Sequence, residues 1–95
     1  MMLSKPHPDY FCEQIGSIVV LDAVRRFVIL GTLVSVDSQY LTLENADVHD
    51  LCDTQTTRDL YVLESHNHGV RANRRRVVVR REEIVSMSLL SDVIE

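Results

Sequence analysis

The sequence predicts a small, mainly β domain: a strongly bent five-stranded barrel with a short helix at its N-terminal end. Three observations carry that expectation. Runs of strand length, rich in Val and Ile, recur at close spacing. Gly31 sits in the middle of the longest run, and a glycine inside a strand marks a bend or bulge where a side chain would obstruct curvature. The chain has 95 residues, enough for one domain and too few for two. Short strands in so small a chain favour a barrel over a layered fold.

Each element follows in order. Residues 1–8 carry both prolines and no periodicity, and read as a flexible tail. Asp9 is placed to cap a short helix over Tyr10–Gln14, which Gly16 would end. Residues 17–24, SIVVLDAV, are apolar in both alternating sets, as a strand buried on both faces requires. Arg25-Arg26 make a polar break. The run from Phe27 to Asp37 is a long strand, apolar on both faces in its first half and bent at Gly31. Asp37-Ser38-Gln39 is a short turn. A third strand covers Tyr40–Leu43, with Tyr40 and Thr42 on one face and Leu41 and Leu43 on the other, and fades over residues 44–47.

Residues 47–73 mix acids, threonines and histidines, and read as an extended insertion between strands. Within it Leu60–Leu63 fits a strand or a helical turn. Arg75–Arg80 returns to strand character around Val77-Val78-Val79. Arg81-Glu82-Glu83 is a tight connection, and Ile84–Leu90 is the last strand. In that strand Ile84, Ser86 and Ser88 alternate with Val85, Met87 and Leu89. The domain is thus expected over residues 9–90, followed by a short tail at 91–95.

Composition narrows the function classes. Apolar residues make up 45% of the chain and there is no Trp, so the core must be aliphatic. No apolar run approaches the ~20 residues of a membrane-spanning helix, and residues 1–10 contain no stretch of signal-peptide length. The chain is read as intracellular. Cys12 and Cys52 are too few for a disulfide framework and read as free thiols.

No nucleophile–base constellation and no phosphate-cradling glycine loop is present, so an enzyme is not expected. His49-x-x-Cys52 and His66-x-His68 could supply four zinc ligands, but the spacing is not that of a common finger and the acidic neighbours fit a solvated loop. No metal or cofactor is expected.

The net charge of −4 conceals an asymmetry. Glu44 to Glu64 holds six acids and one base, whereas Arg71 to Arg81 holds six arginines and no acid. These arginines are Arg71, Arg74, Arg75, Arg76, Arg80 and Arg81. Their planar, permanently charged forks suit phosphate oxygens. Equally, they could pair with the acidic stretch inside one molecule or across a subunit contact. If the strands around Val77-Val78-Val79 and Val85-Met87 are barrel edges, their unpaired backbone groups invite another chain.

The order of these elements resembles the Sm/LSm family. Gly31-Thr32-Leu33-Val34-Ser35-Val36-Asp37 is similar to the first Sm motif, glycine-x-leucine-x-x-hydrophobic-aspartate. Leu41-Thr42-Leu43-Glu44-Asn45-Ala46 looks like the third strand of that family. Val79-Arg80-Arg81-Glu82-Glu83-Ile84 resembles the second motif, hydrophobic-Arg-Gly-x-x-hydrophobic, with Val85 and Met87 continuing the strand. The likeness spans Asp9 to Leu90 apart from the insertion.

The resemblance implies an Sm-like ribonucleoprotein subunit of the nucleus or cytoplasm, engaged in RNA processing. Its RNA-contacting residues would be Asp37, Tyr40, Arg80 and Arg81, with Arg74, Arg75 and Arg76 on backbone phosphates. Tyr40 offers a ring on which a base can stack. The resemblance further implies rings built by pairing the fourth strand of one subunit with the fifth of the next. The oligomer edge would then involve Val77, Val78, Val79, Val85 and Met87, with copies of this chain or other Sm-like subunits as partners. Two departures stand out. No Asn follows the turn aspartate ahead of the third strand, and Arg81 replaces the motif glycine. Both point to an alternative, a protein-binding scaffold that keeps the fold without the usual uridine pocket.

Overall fold

The computed structural model describes residues 10–51 and 57–94. The tail expected over residues 1–8, the Asp9 cap and Cys52 lie outside them. A single helical turn, α1 (Tyr10–Glu13), leads through Gly16 at φ +98° into β1 (Ile18–Ala23). A 3-10 turn over Val24–Arg26 joins β1 to β2 (Phe27–Val36). Arg25 and Arg26 both take positive φ there, which makes the polar break a tight reversal. Then come β3 (Tyr40–Asp50), α2 (Arg58–His68), β4 (Arg74–Arg80) and β5 (Ile84–Leu89).

The five strands form one antiparallel sheet in the order β4-β3-β2-β1-β5. The mainly β class and strand count match the expectation. The sheet is bent and open: β4 and β5 lie at its two ends and, among the described residues, do not pair with each other.

The bend has a local cause at Gly31. The β2–β3 register shifts between Leu30 and Thr32, and Asn45 on the facing strand takes φ +50°. A Cβ on Gly31 would stand 2.9 Å from the Ala46 Cβ and 3.2 Å from the Glu44 carbonyl oxygen. No side chain fits against that backbone. The same irregularity corrects the expected third strand. Instead of fading after Leu43, β3 absorbs Asn45-Ala46 at the bulge opposite Gly31 and continues pairing with β2 to Asp50.

Two apolar clusters stabilise the sheet. The first contains Val19, Leu21, Ile29, Leu33, Leu41, Leu43, Ala46 and Val79, with Phe11, Val77, Ile84, Met87 and Leu89 packed against it. Each fully buried Leu there contributes about 1.5–3 kcal/mol relative to exposure. The second uses the opposite faces of β1 and β2, through Val20, Val28 and Leu30. Tyr61 and Val62 of α2 cover it, together with Val70, Leu90 and Val93. β1 and the first half of β2 are therefore buried on both faces, as their composition requires.

Residues 47–73, expected as an extended insertion, hold the end of β3 and all of α2. Thr57 starts this helix by accepting a hydrogen bond from the Leu60 N–H at 3.2 Å. Gly69 follows its end at φ +89°. The expected alternation in the last strand also fails. A register shift between Asp22 and Ala23 pairs Asp22 with Ser86 but Ala23 with Ile84. Ile84, Met87 and Leu89 therefore all reach the first cluster, while Val85 is 71% exposed. The strand ends at Leu89; a 3-10 turn over Leu90–Asp92 carries the buried Leu90 and leads to Val93 against the second cluster.

Candidate functional site

The turn between β2 and β3 is built by Asp37. Its Oδ1 accepts the backbone N–H of Gln39 at 2.8 Å and of Tyr40 at 2.7 Å. Its own N–H donates to the Tyr40 carbonyl at 2.9 Å. The two N–H donors, Gln39 first and then Tyr40, hold the Asp37 carboxyl below its ordinary value, with a smaller contribution from Arg81. The carboxylate is thus committed to shaping the turn.

That turn sets Tyr40 at the head of β3, directly opposite Arg80 on β4. Residues opposed in this way share a face of the sheet and sit about 5 Å apart at Cβ. Tyr40 remains 40% exposed. The Arg81 N–H donates to the Gln39 carbonyl at 2.8 Å and continues the contact one step past the strand. Arg81 Nη1 donates to the Asp37 carbonyl at 2.7 Å, and its guanidinium carbon lies 4.8 Å from the centre of the Phe11 ring. One side chain thereby ties α1, the β2–β3 turn and the β4–β5 connection together.

These elements enclose an open cleft of about 630 Å³. It is lined by Phe11, Ser38, Gln39, Tyr40, Arg80 and Arg81, with Glu82 and Ile84. Of the residues singled out in the sequence, Tyr40, Arg80 and Arg81 meet here. Asp37 supports the cleft from behind without lining it. Phe11, Ser38, Gln39 and Glu82 carried no signal of their own, because the fold alone brings α1 and the two connections together.

Arg74, Arg75 and Arg76 do not line the cleft. They occupy the far end of β4, roughly 13–20 Å from Arg80 at about 3.3 Å per residue. Arg76 pairs with its cross-strand neighbour Glu44 at 2.6 Å, and Arg74 donates to the Asn73 carbonyl at 3.1 Å. Arg75 is exposed. The arginine cluster of the sequence is thus distributed along one strand. The valines of β4 alternate: Val77 and Val79 face the first cluster, while Val78 is 55% exposed.

A second polar constellation lies under α2. Asp47 is only 7% exposed, and its carboxylate accepts from the Tyr61 hydroxyl and, at 3.0 Å, from Asn73 Nδ2. Asn73 also brackets Val48, accepting from its N–H at 3.0 Å and donating to its carbonyl at 3.1 Å. Burial, reinforced by the Asp47 carboxylate, pushes the Tyr61 hydroxyl above its ordinary range. His49 stacks on Tyr61 at 4.0 Å. Arg58 at the start of α2 lies 3.3 Å from Asp22, which also accepts from the Ser86 hydroxyl at 2.8 Å. Of the histidines weighed and set aside as zinc ligands, His49 packs under α2, while His66 sits on its exposed face beside Asn67.

No protein-family model and no curated protein matches the chain. Among solved structures, it is similar to a Pyrococcus abyssii Sm protein in complex with a uridine heptamer. The TM-score is 0.56 at 15% identity, over 83% of this chain and 90% of that one. The chain has the Sm fold.

Proposed function

We propose that this protein is an Sm-like, RNA-associated subunit of a ribonucleoprotein assembly. In this reading it is a binding module without catalytic activity. The cleft at the β2–β3 turn takes single-stranded RNA, with a base stacked on Tyr40 and Arg80 beside it. The observation that carries the reading is the pairing of an exposed ring with a guanidinium at that turn. The similar archaeal protein, which has the same fold, is in complex with a uridine heptamer. β4 and β5, at the two ends of an open sheet, serve as joints to neighbouring subunits.

Titrating short uridine-rich and adenine-rich RNAs at two salt concentrations tests the RNA half. Tyr40→Ala should weaken binding by about 1–3 kcal/mol, the worth of one stacked base. Failure of the wild-type protein to bind either RNA at low salt overturns the reading.

A second reading has its own support: the Asp37 carboxylate and the Arg81 guanidinium are both occupied within the molecule. Here the protein is a scaffold that joins partners through its edges and does not read RNA. Native mass measurement separates the two by what copurifies. Val78→Asp, an outward position on β4, should break the assembly in either case; an unchanged particle mass would refute edge pairing.

A further inference from the structure

We propose that Glu82 restrains RNA binding by holding Arg80, so that the cleft recognises bases first and phosphates only when this pair opens. The inference rests on the reading of the cleft as an RNA site.

Among the described residues, the charges that line the cleft are two guanidinium groups, Arg80 and Arg81, and one carboxylate, Glu82. Arg81 is committed to the fold through Phe11 and the Asp37 carbonyl. These contacts hold its guanidinium against the turn. Arg80 Nη2 donates to Glu82 Oε1, forming an ion pair inside the cleft lining. Glu82 lies in the 3-10 turn that follows β4, two residues along the chain from Arg80. Both cations are already engaged within the molecule, and the lining carries only one net positive charge.

The pair is also easy to open. The two side chains are 60% and 70% exposed, so water screens their attraction and packing does not lock them. A phosphate next to a base stacked on Tyr40 would compete with Glu82 for the same guanidinium fork. In this arrangement Glu82 lowers affinity for any polyanion and leaves stacking on Tyr40 untouched. It acts as a filter against ligands that bring charge without a base.

The experiment compares wild type, Glu82→Gln, Arg80→Ala/Glu82→Gln and Glu83→Gln by titration with a short uridine-rich RNA across salt concentrations. Glu83 is the control, since the same charge is removed one residue away at a side chain that does not line the cleft. Glu82→Gln should tighten binding roughly two- to fivefold at low salt, the scale of an exposed pair. It should also steepen the logarithmic salt dependence by ~0.7, one more phosphate contact on a single strand. The double variant should lose both gains, and Glu83→Gln should show neither.

The proposal is overturned if Glu82→Gln behaves as wild type while Tyr40→Ala still weakens binding, or if Glu83→Gln produces the same gain. If no protein in the set binds RNA at low salt, the reading of the cleft itself falls and takes this proposal with it.

Discussion

The two apolar clusters are closed in different ways. The first is sealed mainly by strands packing on strands, through Leu21, Leu33, Leu41 and Leu43. The second, on the reverse side of β1 and β2, depends on Tyr61 and Val62 from α2 and on Val93 beyond β5. One cluster is a property of the sheet; the other is a property of what lies on it. A strand that is apolar on both faces announces that a second cover exists. It does not say which part of the chain supplies it.

Three substitutions can break or sharpen this contrast. Leu33→Ala removes a fully buried side chain from the sheet-sealed cluster and should cost about 2–5 kcal/mol. Urea unfolding should show that loss in a single transition, with every strand affected. Tyr61→Phe acts on the other side. It removes the hydroxyl that donates to Asp47 and leaves this buried carboxylate with Asn73. The expected cost is about 1–3 kcal/mol. Hydrogen exchange should place it in α2, with the amides of β1 to β3 still protected. Equal loss of protection in the strands would show that the two clusters fold as one unit.

The smallest effect is expected at Asp37, which belongs to neither cluster. Its carboxyl is held below its ordinary value of 3.8 by the turn N–H groups. Its ionised form therefore favours the folded state. That contribution is fully present above the unfolded value and fades as pH falls through the lowered folded value. Asp37→Asn should flatten this part of the acid side of the stability profile and leave the profile above pH ~5 parallel to wild type. Chemical unfolding at stepped pH measures it.

Most of the sheet was legible in the sequence for physical reasons. Val19 to Leu21 and Val28 to Leu30 are apolar at consecutive positions, and only a doubly buried strand satisfies both sets. Gly31 marked the bend because a Cβ there meets backbone. The helix α2 was not legible. Its apolar residues Leu60 to Leu63 are contiguous rather than spaced around one face, and its partner surface exists only once β1 and β2 have formed. The extension of β3 through Asn45-Ala46 depended on a bulge, which composition does not display.

The site was half legible. Tyr40 and Arg80 could be placed at the candidate cleft because a turn and a motif position them. Phe11 and Glu82 required α1 and two connections to converge. The run of arginines looked like one patch because sequence proximity hides that a strand moves its residues steadily apart.

The strand order has a consequence for how the molecule forms. β1, the first of the five strands in sequence order, pairs on one side with β2 and on the other with β5, so Val19 meets Leu89. During synthesis one side of β1 must wait while β2, β3, α2 and β4 are made. Contacts between such distant positions slow folding, because the loop between them has to close first. Until β5 arrives, β1 presents an apolar strand with an open ladder, the kind of surface on which nascent chains stick to one another. The risk of misassembly should therefore peak between the synthesis of β4 and that of β5.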